Sequence, residues 1–191
     1  MTVLRILLIW GLALSSAAGA ATPEEILDRF HGAAANADIE TYFSLMTQDV
    51  VFLGTDGTER WQGEAFRAFV RPHFEAGRGW DYRASERHIL LSEDGSIAWF
   101  DEALSNSQLG QCRGSGVLVR RGDSWQVAQY NLSVPVPNAL VLSVVELIQA
   151  AEADPAAAGS SEALQTEPGA ESKKSVSCRK KRHKTNKPAG C

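Results

Sequence analysis

Three stretches decide the fold: Ile97-Ala98-Trp99-Phe100-Asp101-Glu102, Cys112-Arg113-Gly114-Ser115-Gly116-Val117-Leu118-Val119 and Trp125-Gln126-Val127-Ala128-Gln129-Tyr130-Asn131-Leu132-Ser133. The exit Val134-Pro135-Val136-Pro137-Asn138 closes the run. Apolar and polar residues interleave along each piece, and the turn Arg121-Gly122-Asp123-Ser124 joins the last two. This is the pattern of linked hairpin strands, whose side chains alternate between faces. Trp125, Val127, Gln129, Asn131 and Ser133 share one face of the last strand by this rule. Trp and Val favour burial, so Gln129 and Asn131 are expected to point inward as well. A curved sheet with polar groups on its covered face encloses a pocket suited to small molecules.

Upstream, Thr22-Pro23-Glu24-Glu25 reads as a helix start, with Thr22 as cap, Pro23 at the first helical position and Glu25 completing a capping box. Ile26, Phe30 and Ala34 then recur at helical spacing. Asp38 can cap a second helix carrying Tyr42, Leu45 and Met46. Val50 to Leu53 reads as a short strand, Gly63 to Phe74 as a third helix and Trp80 to Leu91 as a long strand. Gly77-Arg78-Gly79 reads as a break. Ala139 to Ala151 reads as a closing amphipathic helix. Helices followed by meandering strands make an α+β domain with a single core.

The strand runs and the Pro-rich exit resemble the SnoaL-like branch of the nuclear transport factor 2-like superfamily. Phe52-Leu53-Gly54-Thr55-Asp56, Glu59-Arg60-Trp61 and Gly79-Trp80 fit the same branch. The resemblance covers residues 23–150. It implies a cone-shaped, curved mixed or antiparallel sheet covered by N-terminal helices, and often a homodimer paired through the sheet. Ala128, Tyr130 and Leu132 share one face of the last strand, which would suit such an interface if exposed. The superfamily holds isomerases, cyclases, dehydratases and epoxide hydrolases beside binding modules, so the fold alone fixes no reaction. The chain matches no complete catalytic set from those enzymes.

The ends carry a different message. Residues 1–20 combine Arg5, an apolar run from Ile6 to Leu14 and a small-residue finish, Ala18-Gly19-Ala20. That is the design of a secretory signal peptide, too short in its apolar part to span a bilayer. The expected mature protein is exported, periplasmic or secreted, with no transmembrane segment after cleavage. Residues 21–152 form the expected domain and 153–172 a low-complexity linker of Ala, Gly, Ser, Pro and Glu. Residues 173–191 form a basic tail, expected to be disordered, that holds every lysine of the chain. Its eight positive charges stand against a body of ten arginines and 23 acids, near −13, so the overall −4 hides a steep asymmetry. Such a tail can touch an anionic surface or its own acidic body. It has no aromatic residue to stack on bases, which argues against nucleic acid. An oxidising compartment permits a Cys178–Cys191 disulfide around the basic segment, while Cys112 reads as a small buried apolar residue.

The candidates for chemistry lie on the strands. Asp101 and Glu102 are adjacent and face opposite sides, so one of them could be a pocket base with a pKa raised by apolar walls. Trp99 lies on the Asp101 side and Phe100 on the Glu102 side. Parity does not choose between the two acids. Arg113 on the next strand is the expected cross-strand partner of the inward acid, and such a pair would be structural or anion-orienting. His73 ends the third helix, either as a solvated residue or at the pocket mouth. Trp61, Trp99, Arg113, Gln129 and Asn131 are the candidate ligand contacts. No Cys/His spacing resembles a metal site, and nothing in the sequence implies a cofactor. Three readings stay open: a binding domain for a small, partly apolar molecule; a metal-free isomerase, lyase or hydrolase using a pocket carboxylate; and a protein-interaction module with a basic tail.

Overall fold

The computed structural model describes residues 20–153. The expected signal segment, most of the expected linker, residues 173–191 and the expected Cys178–Cys191 pair lie outside the described residues. Helix α1 runs Pro23–Ala35 and helix α2 Ile39–Ser44. Strand β1, Met46–Leu53, and β2, Arg60–Gln62, come next, followed by helix α3, Glu64–Glu75. The meander is β3, Arg83–Leu91; β4, Ile97–Asn106; β5, Gly110–Arg121; and β6, Ser124–Ser133. A 3-10 turn at Asn138–Leu140 leads into helix α4, Val141–Ala153.

Local chemistry sets the start of α1. The Glu25 amide donates to Thr22 Oγ1 at 3.2 Å and the Thr22 amide to Glu25 Oε2 at 2.9 Å, so both halves of the capping box form. Ile26, Leu27, Phe30, Ala33 and Ala34 turn one face of α1 onto the sheet. Helix α3 continues past Pro72 to Glu75 and buries Phe66, Val70 and Phe74. The short strand β2, which no alternation pattern announces, pairs its Trp61 with Phe52 of β1. No residue of α4 is buried, in contrast to the closing role its apolar face suggests; Leu142, Leu147 and Ile148 stand exposed.

The six strands form one mixed sheet in the order β2-β1-β6-β5-β4-β3, with β1 parallel to β6 and every other pair antiparallel. Helices α1 to α3 cover its inner face. Ala98, Phe100, Glu102 and Leu104 of β4 point inward, and so do Cys112, Gly114, Gly116 and Leu118 of β5. The last strand departs from simple alternation. Val117 pairs with Gln129 but Leu118 with Val127, leaving Ala128 as an extra residue. Such a bulge reverses which face the following residues occupy. Trp125 and Val127 therefore point inward before it, and Tyr130 and Leu132 after it. This corrects two expectations at once: Gln129 and Asn131 face outward, and Tyr130 and Leu132 are core residues rather than an exposed face.

Gly114 shows how tightly the inner face is fitted. It sits opposite Glu102 across the β4–β5 ladder, and a methyl group there would collide with the Tyr130 hydroxyl and Glu102 Oε1. Gly114→Ala is expected to destabilise the domain by about 1–3 kcal/mol, the usual cost of overpacking. Urea denaturation measures this, and an unchanged midpoint would contradict the fit.

Candidate functional site

Glu102 is only 1 % exposed and its neighbours explain why it can be. Strand register places Arg87 of β3 directly across from it, and the Arg87 Nε donates to Glu102 Oε2 at 2.7 Å. From β6, the Tyr130 hydroxyl donates to Oε1 at 2.8 Å. From α1, His31 Nε2 lies 2.7 Å from the same Oε1. Arg87 is itself held by α1, its Nη1 donating to Glu24 Oε1 at 2.9 Å and Asp28 Oδ1 at 2.8 Å. Glu24, Asp28 and His31 follow each other at i, i+4 and i+7, one stripe of α1. That polar stripe beside the apolar one is the sequence signal for the cluster.

Burial is the strongest influence on Glu102 and pushes its carboxyl up, but the hydrogen bonds from His31 and Arg87 and the charge of Arg87 outweigh it. The carboxyl is held below its ordinary value of 4.5 and stays ionised. Burial, reinforced by the Glu102 charge, pushes the Tyr130 phenol well above its ordinary value, so Tyr130 keeps its proton. With Glu102 ionised, His31 presents Nε2–H to it. In the neutral imidazole, Nδ1 is then the free acceptor.

His31 and Tyr130 form part of the wall of a cavity of about 700 Å³ between the helices and the sheet. Glu102 stands behind them, outside the lining. One part of the remaining wall is aromatic. Phe52 stacks on Phe66 at 4.3 Å and Trp61 on Phe69 at 4.3 Å, while Trp80 lines the wall against Phe74 in the core behind it, at 4.8 Å. Polar groups line the rest: Thr55, Asp56, Thr58, Glu59, His73, Arg78, Asp81, Tyr82 and the Asn106–Gln108 loop. Burial and the nearby Arg78 charge push the His73 imidazole down, and burial pushes the Tyr82 phenol up to about 12.

Of the residues singled out in the sequence, Trp61 and His73 line this cavity and Glu102 supports it from behind. Asp101 lies on the outer face, where its carboxylate meets His88 Nδ1 at 3.4 Å. Trp99 is 44 % exposed on that same face. Arg113 is exposed opposite Ala103, not Glu102, so the partner of the inward acid is Arg87 instead. Gln129 is exposed and Asn131 half-buried, both on the far side of β6 from the cavity. Cys112 is buried and unpaired. Among the described residues no three His, Cys, Asp or Glu side chains are grouped to hold a metal ion.

The model of the SnoaL-like domain matches residues 24–137, and the chain belongs to that family. No curated protein matches it. Its fold is that of the nuclear transport factor 2-like proteins. A protein of unknown function from Pseudomonas putida KT2440 in that group superposes with a TM-score of 0.50 at 15 % identity, over 60 % of this chain and 85 % of its own. A candidate ketosteroid isomerase from Parabacteroides distasonis gives 0.50 at 19 % identity, over 61 % and 90 %. A candidate scytalone dehydratase from Novosphingobium aromaticivorans gives 0.50 at 11 % identity, over 59 % and 81 %. At such identities the likeness concerns the fold. No helix among the described residues is long and apolar enough to cross a membrane.

Glu102→Gln keeps the shape of the side chain but removes the charge that Arg87 and His31 share. The substitution is expected to cost about 3 kcal/mol at neutral pH, as breaking a buried pair does. A carboxyl held below its ordinary value stabilises fully above that value and loses its contribution as pH falls through the folded one. The gap between wild type and variant should therefore narrow below pH 4.5. Denaturation series at several pH values measure it, and a gap of constant size into acid would refute the ionised cluster.

Proposed function

We propose that this SnoaL-like domain binds a small, partly apolar molecule with a flat ring system in its cavity. The observation that carries the reading is the cavity itself: about 700 Å³, with stacked aromatic rings in one part of its wall and polar groups in the rest. Its volume lies within the range that encloses a drug-sized ligand. Flat aromatic walls favour ring-bearing ligands through offset stacking and burial of apolar surface.

A second reading, acid–base catalysis without a metal, draws on the 2.7 Å contact between His31 and Glu102. The acting group would be the imidazole, with the carboxylate behind it as a positioning residue. Neutral His31 takes a proton from a ligand carbon or oxygen at Nδ1, and the imidazolium formed is stabilised by Glu102. The same proton, returned to another atom of the ligand, gives an isomerisation; returned to a departing hydroxyl, it gives a dehydration. Tyr130 keeps its proton and holds Glu102 in place.

A thermal-shift and Trp-fluorescence screen with steroids, polyketide-like aromatics and terpenoids tests the first reading. Ring compounds at about one hundred times their Kd should stabilise the domain by about 2.7 kcal/mol. Trp61→Ala, which removes one wall, should weaken the same compounds about tenfold. Stabilisation by none of them would favour an interaction module, in which the outer face and the basic tail carry the function. For any compound that is also turned over, His31→Gln should abolish turnover while leaving binding within a few-fold.

Export and pairing complete the proposal. Residues 1–20 support cleavage after Ala20, and the exposed Trp99 and Leu90, neighbours across the β3–β4 ladder, support a homodimer through the outer sheet face. The protein recovered from the cell envelope or medium should have a mass that starts at Ala21, and light scattering should give the mass of two chains. An intact N-terminus with cytoplasmic retention, or a monomer, would overturn the corresponding part.

A further inference from the structure

Arg78 reaches the cavity through a turn built to present it. Gly77 has a φ of +70°, which disfavours any side chain there. Gly79 packs its backbone on the end of α1, where a methyl group would collide with the Ala34 and Ala35 carbonyls. The Arg78 amide donates to the His73 carbonyl at 2.9 Å and the Trp80 amide to the Ala34 carbonyl at 3.1 Å. The backbone on both sides of Arg78 is thus fixed to α3 and α1. A long cationic side chain on a free loop would turn its head to water. Here it lines the cavity, with its Nε shielded from solvent and without an acceptor.

Arg87, another inward arginine, is treated differently. Arg87 meets three carboxylates, those of Glu24, Asp28 and Glu102. Arg78 forms no ion pair among the described residues. The acids that share its cavity have donors of their own: Asp81 takes Arg83 at 2.8 Å, Asp56 takes the Thr58 hydroxyl at 2.6 Å, and Glu59 takes the Asp56 amide at 3.1 Å. A guanidinium in a cavity wall with hydrogen-bond donors to spare is matched by a planar anion, because two parallel N–H groups meet two carboxylate oxygens. Its neighbours suit that partner. His73 also lines the cavity and can donate one N–H. Trp80 and Phe69 offer flat faces within the same wall.

We propose that the ligand of this cavity is a ring-bearing carboxylic acid, bound as the carboxylate with its charged end on Arg78 and its ring between the aromatic walls. The proposal rests on the reading of the cavity as a ligand site and adds the chemical class of the ligand.

Calorimetric titration of the protein with 2-naphthoate, 2-naphthamide and 2-naphthylmethylammonium tests it. The three share a ring and differ in charge. The carboxylate should bind at least about tenfold tighter than the amide, the worth of one charge-assisted hydrogen bond. Arg78→Gln should remove that preference and leave the amide unaffected. Arg78→Lys should keep part of it, since the charge remains without the fork. Equal binding of amide and carboxylate, or tighter binding of the ammonium compound, overturns the carboxylate assignment and leaves the cavity reading standing. Failure of all three to bind overturns both. The comparison of ligands on the wild-type chain needs no variant to fold.

Discussion

Glu102 keeps its charge with almost none of its surface in water, and the inner face is arranged around that requirement. An isolated buried carboxylate would cost many kcal/mol or take up a proton. Its two oxygens are instead satisfied from three separate elements: Arg87 on the neighbouring strand, Tyr130 from β6 across Gly114, and His31 on the covering helix. Arg87 then ties the same point to Glu24 and Asp28, so α1 is fixed to the sheet at three of its own residues. An apolar cluster of equal volume could stabilise as well, since buried ion pairs often gain little over hydrocarbon. What the polar cluster supplies is direction. Hydrocarbon packs in several ways, whereas this arrangement is satisfied in only one position of the helix against the strands.

The position of α1 decides whether a hollow exists at all. Phe30 and Ala34 form cavity wall from the same helix that carries His31. Phe30 stacks on Tyr42 at 4.7 Å, and the C-terminal carbonyls of α1 receive the turn that carries Arg78. A small rotation of α1 would release Glu102 from His31 and shift Ala34 away from Trp80 together. Two polar features of the cavity, the histidine backed by a carboxylate and the arginine that has no ion pair among the described residues, are therefore coupled through one rigid element.

Much of this was legible in the sequence, and the parts that were not share a cause. The capping box at Thr22, the strands from Ile97 to Ser133 and the family resemblance all follow from local pattern. Alternation also marked one of Asp101 and Glu102 as inward, without choosing. It failed where a single residue changes parity: Ala128 is small and tolerated on either face, so nothing in its chemistry announces a bulge. Pairing of Glu102 with Arg113 considered the following strand, but β4 has a neighbour on each side. The register puts glycine opposite Glu102 on one flank and Arg87 on the other. Long-range partners need the register, and the register depends on bulges that alternation does not reveal. The Glu24, Asp28 and His31 stripe was visible at helical spacing, but its meaning depended on knowing what the sheet presented to it.

The same geometry limits what chemistry the domain could perform. A carboxylate acting directly as a base would need a lone pair facing the ligand and a pKa near the working pH. Glu102 has neither, because its oxygens are engaged and its carboxyl is held low. Tyr130 is no better placed, its hydroxyl proton committed to Glu102 and its phenol pushed far up. Of the three residues gathered at that wall, His31 alone combines contact with the cavity and a nitrogen left over after its bond to the carboxylate. Any proton transfer at this wall would therefore pass through an imidazole whose orientation is set from behind. The polar cluster that locks the helix to the sheet also fixes the ring, so a change at Glu102 would act on the fold and on the orientation of His31 together.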